Sequence, residues 1–145
     1  MNKRQKVWVI VYRIHGSTLE LLGLRPNPEP GRNTDYYVIT GGIEENEAPE
    51  QAALREVKEE ISVAPLQVLN LQKSISYIDK YSGDEFVEQC FAAQIDQPEL
   101  VLNEEHIGYK WLGVDEFVET IWWEDKRDKL GAIVASLQDI LSRRS

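Results

Sequence analysis

The sequence predicts a mixed β-sheet covered by helices, in an α+β or α/β/α layered arrangement. Three observations lead there. Short apolar, β-branched runs recur with turn residues between them, one helical pattern interrupts the strands and another closes the chain, and strands and helices do not follow strict βαβ alternation. The 145 residues are 42% hydrophobic and 28% charged, with no repeat, low-complexity tract or linker, so residues 1–145 are expected to form one domain.

Val7 to Tyr12 is a continuous apolar run of strand length, and His15-Gly16-Ser17 turns it into Leu19 to Leu24, which makes a hairpin. Pro26 to Asn33 carries three prolines and a glycine and reads as an exposed loop before a short strand, Tyr36 to Thr40, that stops at Gly41-Gly42. From Ala48 to Ile61 the period becomes helical: Pro49 fits the first turn, and Ala53, Val57 and Ile61 mark the buried stripe. Leu66 to Ile78 and Glu85 to Ile95 read as two longer strands around a Ser82-Gly83-Asp84 turn, with a shorter strand at Tyr109 to Leu112. Leu130, Ile133, Val134, Leu137, Ile140 and Leu141 then lay an amphipathic helix on the sheet.

Charge and composition narrow the function. With 25 acidic against 16 basic side chains the net charge is −9, the wrong sign for a broad nucleic-acid or anionic-membrane surface. No run is long enough to span a membrane and no cleavable leader is visible, so a cytoplasmic location is expected. Cys90 is the single cysteine, which removes disulfides; it reads as buried packing.

Acidic density peaks between Glu44 and Glu60, where seven glutamates face only Arg55 and Lys58. On a helix Glu56, Glu59 and Glu60 fall at i, i+3 and i+4, so their carboxylates are neighbours on one face. A solvated acidic face would tolerate that, because each like-charge pair costs only about 0.2–0.5 kcal/mol there. The surrounding pattern argues for more: a Gly-Gly pair ends a strand, and Arg55 immediately precedes the first of the three carboxylates. A hard divalent cation such as Mg²⁺ takes oxygen ligands and leaves positions for substrate phosphates. The backbone carbonyl of Thr40 or Gly41 could add an oxygen, and the Arg55 guanidinium could fix the orientation of a neighbouring carboxylate.

The stretch from Gly41 to Val63 resembles the Nudix hydrolase family box, Gly-x5-Glu-x7-Arg-Glu-U-x-Glu-Glu-x-Gly-U with U apolar, matched here by Gly41, Glu47, Arg55, Glu56, Val57, Glu59, Glu60 and Val63. Ser62 stands where the pattern has Gly, the residue that eases the chain out of the helix in a left-handed conformation. The resemblance implies the family's α/β/α sandwich with a mixed central sheet. A second stretch, Glu104-Glu105-His106-Ile107-Gly108-Tyr109-Lys110-Trp111, is similar to the Glu-His-x-x-Tyr-(Arg/Lys)-Trp segment of subgroups that hydrolyse dihydroneopterin triphosphate or diadenosine polyphosphates. Thr40-Gly41 and Trp122-Trp123 look more like the dihydroneopterin triphosphate group.

Carried over residue by residue, the resemblance implies Mg²⁺, with Mn²⁺ as substitute, held by Glu56, Glu59, Glu60, Glu105 and the Thr40 carbonyl. Arg55 orients the box carboxylates, Glu47 reaches back toward the helix, and the base is one of Glu56, Glu59 and Glu105. The reaction is hydrolysis of a diphosphate linkage in a nucleoside or pterin triphosphate by water attack on phosphorus. Tyr36, Tyr77, Tyr81 and Trp123 are candidates to stack on the ring, and Arg25 or Lys6 to touch a terminal phosphate, although aromatics beside strands more often pack and a lone arginine more often faces solvent. His106 reads either as part of that segment or as a loop cap. The expected partner is a small-molecule polyphosphate, with the protein a monomer or homodimer. The alternatives are a diadenosine polyphosphate hydrolase and a non-catalytic nucleotide-sensing module on the same scaffold; the latter would be expected to have lost box acids, and none is lost.

Overall fold

Strand β1, Lys3–His15, is buried without interruption from Val7 to Tyr12, and that run sets the architecture. A strand buried on both faces must be covered on both, and its alternate residues sort into two separate cores. Trp8, Ile10 and Tyr12 belong to one core; Val7, Val9 and Val11 belong to the other. The computed structural model describes residues 2–28, 35–97, 99–121 and 127–144.

After β1 come β2 (Thr18–Pro26), β3 (Ile39–Gly42), helix α1 (Pro49–Ile61), β4 (Gln67–Ile78), β5 (Glu85–Gln94), β6 (His106–Leu112), α2 (Val114–Thr120) and α3 (Arg127–Arg143). The six strands form one mixed sheet in the order β4-β5-β1-β2-β6. β1 and β5 run parallel at its centre, while β1–β2, β4–β5 and β2–β6 are antiparallel. Strand β3 shares an edge of β1 with β2: Tyr12 to His15 pair with β2, and Lys6 to Val9 pair with β3. That division delivers Gly41 and Gly42 to the start of the loop that enters α1.

Helix α1 covers one face through Ala52, Ala53, Val57 and Ile61, all fully buried against Val7, Val9, Leu24, Ile39, Phe91 and Ala93. Helices α2 and α3 cover the other through Phe117, Leu130, Ile133, Val134 and Leu137. This is the three-layer sandwich expected from the sequence. Both hairpins form, with Gly16 and Gly83 supplying the positive φ that their turns require.

Several boundaries differ. β1 extends back to Lys3 because β5 pairs with it from Glu85 onward, and β6 begins at His106 rather than Tyr109 because Pro26 and Arg25 pair with His106 and Gly108. Strand β3 runs on to Gly42, while Tyr37 makes an isolated bridge to Leu24. Helix α2 is too short for its period to stand out in the sequence. No described helix is long and apolar enough to cross a membrane.

Helix α1 opens at Ala48, whose N–H donates to Gln51 Oε1 at 3.0 Å, with Pro49 in the first turn. It ends at Ser62, which adopts the left-handed conformation itself, φ 60° and ψ 31°, and donates its N–H to the Lys58 carbonyl at 3.1 Å. The departure from glycine therefore leaves the exit geometry intact and costs backbone strain of about 1–2 kcal/mol. Ser62→Gly is expected to raise stability by up to about 1 kcal/mol, the relief of strain being partly offset by the greater freedom of glycine in the unfolded chain. Urea denaturation with an unchanged slope reads this; a loss of stability would show that Ser62 is not strained.

Candidate active site

Arg55 projects from α1 and makes four hydrogen bonds to three groups with one guanidinium. Nε and Nη2 donate to the two carboxylate oxygens of Glu47 at 2.8 and 3.0 Å, Nη1 donates to Glu56 at 2.8 Å, and Nη2 also donates to the Gly42 carbonyl at 2.8 Å. Glu44 and Glu59 lie further out, at 3.6 and 3.5 Å. Glu47 accepts the Glu44 N–H as well, at 3.0 Å, which ties the loop before α1 into a closed turn. Hydrogen bonds from Arg55 and the Glu44 backbone hold the Glu47 carboxyl down at about 2, so it stays ionised.

Gly41 is where β3 and α1 meet most closely. A Cβ there would sit 2.2 Å from Cδ and Oε1 of Glu56, so the Glu56 carboxylate lies directly against the strand backbone. Burial raises the Glu56 pKa, and the Arg55 hydrogen bond opposes that rise without cancelling it.

The three carboxylates at 56, 59 and 60 do not form one uniform face. Each residue turns the helix by about 100°, so Glu59 and Glu60 flank Glu56 on opposite sides. The Glu59 side chain is 55% exposed beside Arg55, whereas that of Glu60 is 4% exposed. A second segment meets Glu60. Val101 N–H donates to the Ile61 carbonyl and Asn103 N–H to the Glu60 carbonyl, while the Asn103 side chain accepts the Glu105 N–H. The turn so pinned to the end of α1 brings Glu60, Glu105 and His106 together, each with a ligand atom within 4.8 Å of the others. Glu60 Oε1 is 2.6 Å from His106 Nε2, across a separation of 46 residues.

Glu60 Oε2 is buried and has no hydrogen-bond partner among the described residues. Burial first, and then the charges of the Glu105 and Glu56 carboxyls, push the Glu60 carboxyl up to about 9. An orphaned buried carboxylate oxygen facing two further carboxyls is a poor arrangement for a metal-free protein and a suitable one for a hard divalent cation. The residues present therefore fit such a group.

His106 was ambiguous in the sequence. Its short contact makes it part of the cluster, and the available signal was its place directly after Glu105. Thr40 is partly buried on β3, opposite Trp8.

The candidate ring- and phosphate-contacting residues are distributed. Arg25 is exposed on β2, near the Glu105 turn, where the Asn27 N–H bonds the Glu105 carbonyl. Tyr36 is half-buried against the α2–α3 core and near Gly23. Tyr77 stacks on Phe86 with ring centroids 5.5 Å apart, and Lys6 Nζ lies 3.6 Å from the Glu88 carboxylate, on the sheet face away from α1. Tyr81 is 91% exposed in the β4–β5 turn. Trp123 and its neighbour Trp122 lie outside the described residues.

A family model for the NUDIX domain matches residues 2–130. Dihydroneopterin triphosphate diphosphatase of Escherichia coli (strain K12) is 25% identical over 118 residues, covering 73% of this chain and 75% of that protein. Among solved structures, an Ap4A hydrolase binary complex from C. elegans superposes with a TM-score of 0.73 at 18% identity, covering 96% of this chain and 98% of that one. The E. coli dihydroneopterin triphosphate pyrophosphohydrolase superposes at 0.71 with 22% identity, covering 92% and 95%. The two structural likenesses agree with the layered fold, and the family match spans the strand, box helix and second acidic segment that build the site. The chain belongs to the NUDIX domain family.

Proposed function

We propose that this protein is a Mg²⁺-dependent hydrolase of a pterin or nucleoside triphosphate, of the dihydroneopterin triphosphate or dNTP type, with water attacking phosphorus. The observation that carries the reading is the gathering of Glu60, Glu105 and His106 ligand atoms within 4.8 Å around a buried Glu60 carboxyl whose Oε2 has no hydrogen-bond partner among the described residues, beside an Arg55 that holds Glu47, Glu56 and the Gly42 carbonyl. The similarity to the E. coli dihydroneopterin triphosphate diphosphatase supports the pterin member of the substrate class.

In this reading Glu56, Glu59, Glu60 and Glu105 bind the cation, with the Thr40 carbonyl as a further oxygen. A bound divalent cation neutralises diphosphate charge and lowers the pKa of water. Arg55 spends its donors on protein carboxylates, so its part is positioning: it fixes Glu56 against Gly41 and closes the loop through Glu47. The proton of the attacking water passes to one of Glu56, Glu59 and Glu105, of which Glu59 and Glu105 are exposed to a solvent-side water.

The direct test is phosphate or pyrophosphate release with and without Mg²⁺ from dihydroneopterin triphosphate, dGTP, dATP, diadenosine tetraphosphate and ADP-ribose. Turnover of a triphosphate is expected. Turnover of none would leave a sensor on the same scaffold, and turnover of diadenosine tetraphosphate alone would move the protein to the dinucleotide class. Glu59→Gln should stay within about 0.5 kcal/mol of wild-type stability, as exposed sites do, while losing most turnover through weaker cation binding. Unimpaired turnover would remove Glu59 from the ligand set.

Gly41→Ala places a methyl where the Glu56 carboxyl now lies. A displacement of about 1 Å at a catalytic group can cost about 10²-fold, and a loss of that size in kcat/KM is expected. Wild-type kinetics in this variant would show that the Gly41–Glu56 contact does not matter for the reaction.

Cation binding should also move a proton. A carboxyl raised from 4.5 to about 9 stays protonated at pH 7 in the metal-free protein, and it must ionise to bind a cation. Calorimetry of Mn²⁺ binding at pH 7 in buffers of different ionisation enthalpy should report release of about one proton, abolished in Glu60→Gln. The linked effect on folding has a defined sign. The folded chain keeps a proton that the unfolded chain gives up between pH 4.5 and about 9, so metal-free stability falls as pH rises through that window. Proton-neutral cation binding would contradict the assignment of Glu60.

A further inference from the structure

The sheet face away from α1 holds a second buried carboxylate that the hydrolytic step does not use. Glu88 on β5 is 3% exposed and lies in register with Lys6 on β1 and Ile75 on β4. Lys6 Nζ is 3.6 Å from Oε2, and the Tyr77 hydroxyl donates to the same oxygen at 3.4 Å. Charge-assisted contacts of these kinds normally close to about 2.5–2.9 Å, so both are loose.

The surroundings are aromatic. Tyr77 and Phe86 stack within 19° of parallel, Lys6 lies 5.3 Å from the Phe86 ring centroid, and the Trp8 indole donates to the Tyr37 hydroxyl at 3.2 Å. Fold stability does not account for such a carboxylate, because a buried ion pair with imperfect geometry is commonly no better than an apolar pair of similar volume. Burial drives the Glu88 pKa up, and Lys6 is the main group opposing it.

Its location gives it a use. Lys6 stands opposite Gly42 on β3, and the preceding residue, Gly41, lies against Glu56. A Cβ at Gly42 would meet nothing within 4 Å. The Gly41 side of β3 is filled by the Glu56 carboxyl, but the Gly42 side is open, so a ligand with its phosphates at the carboxylate cluster that passed over β3 at Gly42 would bring its ring toward Lys6 and the aromatic groups beside Glu88.

We propose that Glu88 is the residue that reads the substrate ring, accepting two parallel hydrogen bonds from a ring N–H and its adjacent exocyclic amine. That donor pair belongs to the 2-amino-4-oxopyrimidine ring shared by guanine and reduced pterins. Adenine offers one amine beside a ring nitrogen that only accepts, and cytosine has the same defect. In-plane N–H donors would replace the loose Lys6 and Tyr77 contacts and engage Oε1, while Tyr77 and Phe86 supply a stacking surface. This deepens the triphosphate-hydrolase reading and rests on it for the position of the phosphates.

The test has two arms. In the first, kcat and KM are measured for dihydroneopterin triphosphate, dGTP and dATP with wild type and Glu88→Gln, whose amide offers one acceptor and one donor where two acceptors are required. A bidentate pair discriminates by roughly 10- to 100-fold, so wild type should prefer either or both of the 2-amino-4-oxo substrates over dATP by that factor. Glu88→Gln should lose it mainly through KM, with a loss at least tenfold smaller on dATP. The pterin-to-dGTP ratio identifies which ring is the natural one. In the second arm, equilibrium binding of neopterin, dGMP and dAMP is measured without substrate turnover, on wild type and on the variant, with thermal melting as a control for folding. Absence of turnover together with Glu88-dependent binding of neopterin or dGMP would end the hydrolytic reading and uphold the ring assignment. Equal binding of all three ligands by wild type, or an equal loss on all substrates in Glu88→Gln, would overturn the ring assignment even with hydrolysis established.

Discussion

The site depends on one guanidinium. Arg55 directs its donors to Glu47, Glu56 and the Gly42 carbonyl, and so joins the end of β3, the loop after it and the body of α1 at a single planar fork. A lysine could not replace it, because an ammonium is a point charge without the rigid fork that matches a carboxylate with two parallel bonds. Gly41 is the counterpart of this arrangement. Arg55 fixes where the Glu56 carboxyl lies, and that place is available only because the strand carries no side chain there.

Around this anchor the fold accumulates an electrostatic conflict. On a solvated helix Glu56, Glu59 and Glu60 would repel weakly, but burial of Glu60 and the arrival of Glu105 from the turn before β6 change the scale. Metal-free, the cluster avoids the conflict by keeping a proton on Glu60, at the cost of a buried oxygen with no partner. A divalent cation bound there would remove the reason for that proton and give the oxygen something to bind. Affinity for the cation and the strain of the metal-free state are thus two descriptions of one carboxyl.

Strand β1 organises the rest. Its odd residues from Val7 to Val11 pack under α1, and its even residues from Trp8 to Tyr12 pack under α2 and α3. The sheet consequently separates two chemistries by the thickness of one strand layer: carboxylates and a guanidinium on one side, and a buried carboxylate among aromatic rings on the other. The Gly41–Gly42 pair lies at the edge of β1 that β2 leaves free.

The sequence by itself determined the layered class, the two hairpins, the course of α1 and the local acidic group, because apolar period, turn residues and helical spacing are properties of near neighbours. It also carried the family resemblance through residues at fixed short intervals. It could not determine that Glu60 is buried while Glu59 is exposed, since both lie on the same helix and only contact with the 101–106 segment distinguishes them. Nor could it place Lys6 beside Glu88, whose parallel pairing joins strands far apart in the chain, or reveal that Ser62 takes the glycine conformation unaided. Burial and charge pairing depend on which distant segments meet, and the pKa of a carboxyl follows from those two quantities. Chemical composition was legible in the chain; the tertiary structure decided which carboxylates are strained, and therefore which have reason to bind.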